Sequence, residues 1–136
     1  MASADITGRL AQYVAAARDR DLPSDVVQAA KHRILDTFAA MVSGAHLKPG
    51  EMAIRYARSQ GGIEEATVVT TDIRTSAVNA ALANAMFAHA DETDDFHPET
   101  KAHPGCAVVP AALAMGEREG SSGKELLRAV TVGYDL

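Results

Sequence analysis

The sequence predicts an all-α fold. Apolar residues recur at three- and four-residue spacing along much of the chain. Alanine supplies much of the 47% hydrophobic fraction, aromatics make up only 4%, and Trp is absent. Only one short run looks β-like. Small side chains suit closely packed helices, whereas a β-sandwich wants more β-branched and aromatic residues. At 136 residues the chain is long enough for one domain with a core. The expectation is about six helices and at most one short β-like segment.

Ile6, Leu10, Val14 and Ala17 place an amphipathic helix at roughly 5–20. Pro23-Ser24-Asp25 restarts the chain, and Val26, Val27, Ala30, Ile34, Phe38, Met41 and Val42 form the apolar face of a longer helix that Gly44 is placed to stop. Lys48-Pro49-Gly50 reads as a loop, and Glu51 to Gln60 as a short helix ended by Gly61-Gly62. Ala66 to Thr71 is the β-like run. Thr75 or Ser76 caps the next helix, which carries Ala77, Val78, Ala81, Leu82, Ala85, Met86 and His89. After a segment punctuated by Pro98 and Pro104, a helix from about Cys106 to Glu119 stops at Gly120. Ser122-Gly123-Lys124-Glu125 is a capping box for the last helix, which bears Leu126, Leu127, Val130, Val132 and Tyr134. No stop signal follows it, so the natural domain is expected to continue beyond Leu136.

Composition excludes several functions. Lys and Arg total 13 against 18 Asp and Glu, for a net charge of −5, so no basic stripe is present to neutralise nucleic-acid phosphates. Cys106 is the single cysteine, which rules out an internal disulfide. The opening MASADITGRL lacks the pattern of a signal peptide, and no apolar run reaches the ~18–20 residues a membrane span needs. A cytoplasmic location is the expectation.

The segment His89–His103, HADETDDFHPETKAH, concentrates the chemistry. It holds three of the five histidines and five carboxylates against one lysine, a local charge of −4 with neutral imidazoles. Three readings compete. Asp, Glu and His are suitable metal ligands, yet no HExxH or EF-hand spacing occurs. As acid–base machinery, His97 and His103 would move protons near neutral pH while Asp94 and Asp95 orient the rings. As a solvated loop, the segment would use its acids to cap neighbouring helices. Among the other residues, a helix-end charge interaction and a site role weigh about equally for His89. His32 and His46 read as surface residues, and Cys106 as a packed thiol rather than a nucleophile.

The run His89-Ala90-Asp91-Glu92-Thr93-Asp94-Asp95-Phe96-His97, then His103-Pro104-Gly105, then Val109-Pro110-Ala111-Ala112-Leu113-Ala114, closely resembles the MmgE/PrpD family. Gly120-Ser121-Ser122-Gly123-Lys124-Glu125-Leu126-Leu127 with Gly133-Tyr134, and Ile34-Leu35-Asp36-Thr37, fit the same family. The resemblance spans nearly the whole chain. It implies a cofactor-free lyase or isomerase acting on small di- or tricarboxylates, with no metal, by proton abstraction next to a carboxylate. The family includes 2-methylcitrate dehydratase, cis-aconitate decarboxylase and an iminodisuccinate epimerase. Members are about three times this length, with a helical domain, a smaller α/β domain and usually a homodimeric assembly. Residues 1–136 are then the N-terminal part of the helical domain.

The resemblance assigns His103, Asp94, Asp95 and His97 to the catalytic set, with His103 nearest the chemistry. Glu92 and Lys101 are the substrate-binding candidates. Glu92 stands where many members have Asp, and Phe96 where many have Thr, so the substrate differs from that of the best-known members. The family's further active-site histidine, lysines and tyrosine fall beyond position 136, so this chain alone is expected to be inactive. A non-catalytic helical partner is the alternative, and a metal-dependent hydrolase a more remote one.

Overall fold

The computed structural model describes residues 5–136; part of the stretch on which the signal-peptide reading rests, residues 1–4, lies outside it. Six helices occur among the described residues: α1 (Ile6–Ala17), α2 (Ser24–Gly44), α3 (Lys48–Gln60), α4 (Ala77–His89), α5 (Pro104–Glu119) and α6 (Gly123–Asp135). Two strands, β1 (Ala66–Thr67) and β2 (Arg74–Thr75), pair antiparallel with Ala66 opposite Thr75. The all-α expectation holds. None of the described helices is long and apolar enough to cross a membrane.

Most helix ends follow the sequence signals. Ser76, rather than Thr75, accepts from Asn79 N at the start of α4, and Asp5, not among the expected caps, accepts from Gly8 N at the start of α1. The Ser122/Glu125 capping box forms in full, and Gly120 ends α5 in the left-handed conformation. Lys48-Pro49-Gly50 is not a loop but the first turn of α3. Pro is favourable there because an N–H in the first turn has no helical acceptor to lose. For the same reason α5 begins at Pro104 rather than at Cys106, with His103 as its N-cap. Of the β-like run only Ala66–Thr67 pairs, because Thr71 N bonds back to Val68 O and turns the chain.

α4 lies at the centre and packs most extensively against α5, α2 and α3. The fully buried large side chains are few, chiefly Phe87, Met41, Val68, Val109 and Val130; alanines fill most of the remaining core. Small residues let backbones approach closely. Gly44 illustrates this: a Cβ there would lie 1.9 Å from Phe87 O on α4. Its φ is not positive, so it allows α2 to touch α4 rather than acting as a left-handed stop.

Buried Asn84 ties the strand turn to α4. Its Oδ1 accepts from Val69 N (2.9 Å) and its Nδ2 donates to Thr67 O (3.0 Å). Asn84→Ala leaves two partly buried backbone groups without this partner, each costing up to about 1–3 kcal/mol. Urea unfolding of this variant is expected to show a loss of roughly 2–4 kcal/mol; an unchanged stability would show that these two bonds do not support the fold.

Candidate active site

The acidic segment connects the C-terminus of α4 to the N-terminus of α5, and its turn is closed by a backbone bridge between His97 and Ala102. Asp94 is the segment's buried acid, its side chain 0% exposed. His89, at the end of α4, places Nδ1 3.1 Å from Asp94 Oδ2 and 3.3 Å from Oδ1. An ionised carboxylate only accepts, so a hydrogen bond to Asp94 assigns a proton to His89 Nδ1. From the other side, His103 Nδ1 lies 3.3 Å from Asp94 Oδ1. That is ion-pair distance but out of line for a hydrogen bond, and this buried nitrogen has no hydrogen-bond partner among the described residues. The two imidazoles meet edge to face at 5.0 Å, and the Phe96 ring lies 5.4 Å from that of His103. Two histidines thus flank one buried carboxylate. A small rotation of His103 would complete its hydrogen bond, as substrate-free sites commonly require.

Asp95 does a different job. Its Oδ1 accepts from Gly105 N (2.8 Å) and its Oδ2 from Tyr134 Oη (2.7 Å). A carboxylate at the first turn of α5 satisfies an N–H with no helical partner and complements the helix dipole. The capping reading of the acids is correct for this residue. Because His103 is the N-cap of α5, the Tyr134–Asp95–Gly105 chain fixes where His103 stands. Burial, then the hydrogen bond and charge of Asp95, push the Tyr134 phenol well above the usual tyrosine range, so it stays a donor. Tyr134 was not singled out as a site residue from sequence; its place in the Gly133-Tyr134 motif was the available signal.

The other sequence candidates lie outside this core. His97 is exposed, and its Nδ1 faces Thr100 Oγ1 (2.9 Å) and accepts from Thr100 N (3.3 Å), which holds the turn rather than Asp94. Glu92 and Lys101 are exposed and both adopt positive φ, 55° and 61°. Lys101 Nζ stands 5.5 Å from the Phe96 ring centroid, so the local cation sits at the rim of the site. Asp91 is bonded by Ser43 on α2 and by Thr93, which hold its carboxyl below the usual range. His32 and His46 are exposed, as expected.

Cys106, in the first turn of α5, donates from Sγ to His103 O at 3.1 Å. Burial first, then the hydrogen bond and charge of Asp94, push its thiol up from 9.0 to about 11. The folded chain therefore keeps a proton that the unfolded chain releases. Its contribution to stability is present below about pH 9 and is lost as pH rises through about 11. Iodoacetamide labelling of the folded, metal-free chain is expected to have its midpoint near pH 11, against near 9 in urea; equal midpoints contradict this burial. The protonated thiol is no resting nucleophile, in line with the packed-thiol reading. As metal donors, His89, Asp94 and Cys106 each offer one ligand atom, all within 4.8 Å of one another.

A cleft of about 580 Å³ between α1 and α6 is lined by Val14, Ala17, Arg128, Val132 and Leu136 among others, none from the acidic segment. It lacks the convergent acid–base groups of the Asp94 cluster.

A model of the MmgE/PrpD N-terminal domain matches residues 8–136. The chain is similar to a cis-aconitate decarboxylase-like protein, oryM, of Aspergillus oryzae, at 29% identity over 96% of this chain and 29% of that protein. It is also 29% identical to a cis-aconitate decarboxylase of Aspergillus terreus, over 98% of this chain and 28% of the relative. The chain therefore spans less than a third of the length of the curated relatives it matches.

Proposed function

The chain belongs to the MmgE/PrpD family, and from that premise we propose that it forms the acid–base half of a lyase active site for small di- or tricarboxylates. One observation carries the reading: buried Asp94 sits between the Nδ1 atoms of His89 and His103. Asp94 holds a proton on His103 Nδ1, which leaves Nε2 as the base that takes, or returns, a proton at the carbon next to a substrate carboxylate. Decarboxylation, dehydration and epimerisation all need that transfer. The Aspergillus terreus relative is a cis-aconitate decarboxylase, which favours a tricarboxylate and the first of these.

Within this reading His103 is the catalytic residue, and Asp94 and Asp95 are positioning residues. His97 stabilises the turn. Lys101, at the rim beside Phe96, and the exposed Glu92 are the candidates to meet the substrate's outer groups. Phe96 gives the pocket an apolar wall beside His103 and supplies no hydroxyl. The segment is too acidic to receive a polycarboxylate by itself. The necessary cations come from the rest of an enzyme of the relatives' length, in which residues 1–136 are the N-terminal part of a helical domain and the assembly is a homodimer. No metal or organic cofactor is needed for the proton transfer.

The reading is tested on the complete enzyme carrying this segment, by proton NMR of cis-aconitate, citrate and related acids. Turnover of at least one of them is expected, with no fall in rate after EDTA. Failure to convert any polycarboxylate, with the enzyme folded, counts against it. A reading frame closed just after the codon for Leu136 would instead support the non-catalytic partner.

A further inference from the structure

We propose that His89, Asp94 and Cys106, with His103 Nδ1 as fourth donor, form a binding site for a thiophilic divalent cation of the zinc class, one that inhibits rather than assists the enzyme. Four observations converge on it. Ligand atoms of His89, Asp94 and Cys106 lie within 4.8 Å of one another. The Asp94 side chain is fully buried and, among the described residues, has no Lys or Arg ion pair to neutralise it. His103 Nδ1 is buried, lacks a hydrogen-bond partner among the described residues and lies 3.3 Å from Asp94 Oδ1. Finally, the three first-named groups come from different elements, the end of α4, the connecting turn and the first turn of α5, so the cluster is held by the fold rather than by one flexible loop.

Tetrahedral zinc, with bonds of about 2.0–2.3 Å to N, O and S, sets its donor atoms about 3.3–3.6 Å apart. Measured to the single oxygen Asp94 Oδ1, the Nδ1 atoms of His89 and His103 both lie at 3.3 Å, already near that spacing. The half-exposed His89 ring and the Cys106 side chain supply the remaining closure by rotation. The donor set of two imidazoles, one carboxylate and one thiolate suits a borderline ion and disfavours magnesium or calcium, which take oxygen donors. Binding balances as follows. The metal displaces the thiol proton to solvent and leaves a thiolate on the ion. The Nδ1 atoms of His89 and His103 become ligands, so the Nδ1 proton assigned to each neutral ring moves to Nε2. One carboxylate and one thiolate then neutralise the dication. Inhibition rests on the function proposed above, because a His103 protonated at Nε2 cannot accept a proton there; cation binding does not.

The test uses the 136-residue chain with Co²⁺ and Zn²⁺ and needs no substrate. One Zn²⁺ per chain is expected by calorimetry, with proton release seen as a buffer-dependent heat. Co²⁺ is expected to give the visible bands of a tetrahedral ion and a thiolate-to-metal charge-transfer band. Cys106→Ser should remove that band, and Cys106→Ser and His89→Ala should each weaken Zn²⁺ binding at least 10-fold while circular dichroism stays unchanged. His32→Ala/His46→Ala should leave binding intact. No binding, binding that survives both site variants, or loss on removing His32 and His46 overturns the proposal. Should a site variant fail to fold, the wild-type charge-transfer band alone decides, since Cys106 is the chain's one thiol. Binding with no loss of turnover in the complete enzyme would overturn the inhibitory part and leave the binding part standing.

Discussion

In the complete enzyme, His103→Ala is expected to lower kcat/KM by about 10²–10⁴-fold, the usual contribution of a positioned acid–base group. That equals roughly 3–5 kcal/mol of transition-state stabilisation. The loss should fall mainly on kcat, because the ring moves a proton in the transition state more than it binds the substrate's carboxylates. Asp94→Asn sharpens the assignment. An amide fills the same volume, but its NH₂ presented to His103 Nδ1 would force that nitrogen to accept, moving the ring proton to Nε2 and disabling the base. His89 can still donate to the amide oxygen, so the fold should survive. Steady-state kinetics with circular dichroism measures both variants. A large loss for His103→Ala with wild-type kinetics for Asp94→Asn would leave His103 as base and remove Asp94 from its support.

The second large effect is structural. Gly105→Ala adds a methyl whose carbon would lie 2.7 Å from Asp95 Oδ1 and 2.8 Å from both Thr37 Oγ1 and Tyr134 Oη. None of these is free to swing away. Asp95 is held by Gly105 N and Tyr134, and Thr37 Oγ1 donates to Arg33 O. Overpacking of this kind costs about 1–3 kcal/mol. The displaced Asp95 would also release the first turn of α5, and His103 with it. Thermal unfolding is expected to show a clear drop in Tm, and the complete enzyme a loss of turnover larger than Tyr134→Phe causes. Tyr134→Phe removes one hydrogen bond to Asp95 but leaves the Gly105 contact. A Gly105→Ala chain as stable as wild type would show that the Asp95–Tyr134 clamp does not hold α5.

Helix positions and several caps were legible because they depend on local chemistry. Ser76 and the Ser122/Glu125 box each act within one turn of their own residue; the Asp5 cap is equally local but was not among the caps expected. Misplaced starts at α3 and α5 share one cause: Pro49 and Pro104 read as breakers, yet a first helical turn tolerates proline. Gly44 was legible as special but not for its reason, since its contact with Phe87 O spans two helices distant in sequence. The site divides in the same way. Asp94, Asp95 and His103 stand out as a local cluster, but which acid faces histidines and which caps a helix depends on α4, α5 and α6 meeting. Tyr134 lies 39 residues from Asp95, and Asn84 reaches the strand turn from mid-helix. Neither partnership leaves a local trace.

The central claim is that His103, supported by Asp94, exchanges a proton with the carbon beside a substrate carboxylate. Its most direct test follows cis-aconitate turnover by the complete enzyme in D₂O, with wild type and His103→Gln compared by proton NMR and substrate binding checked by calorimetry. Deuterium is expected at the reacting carbon of the wild-type product, and binding without deuterium incorporation or turnover for His103→Gln. Deuterated product from His103→Gln at the wild-type rate would contradict the claim.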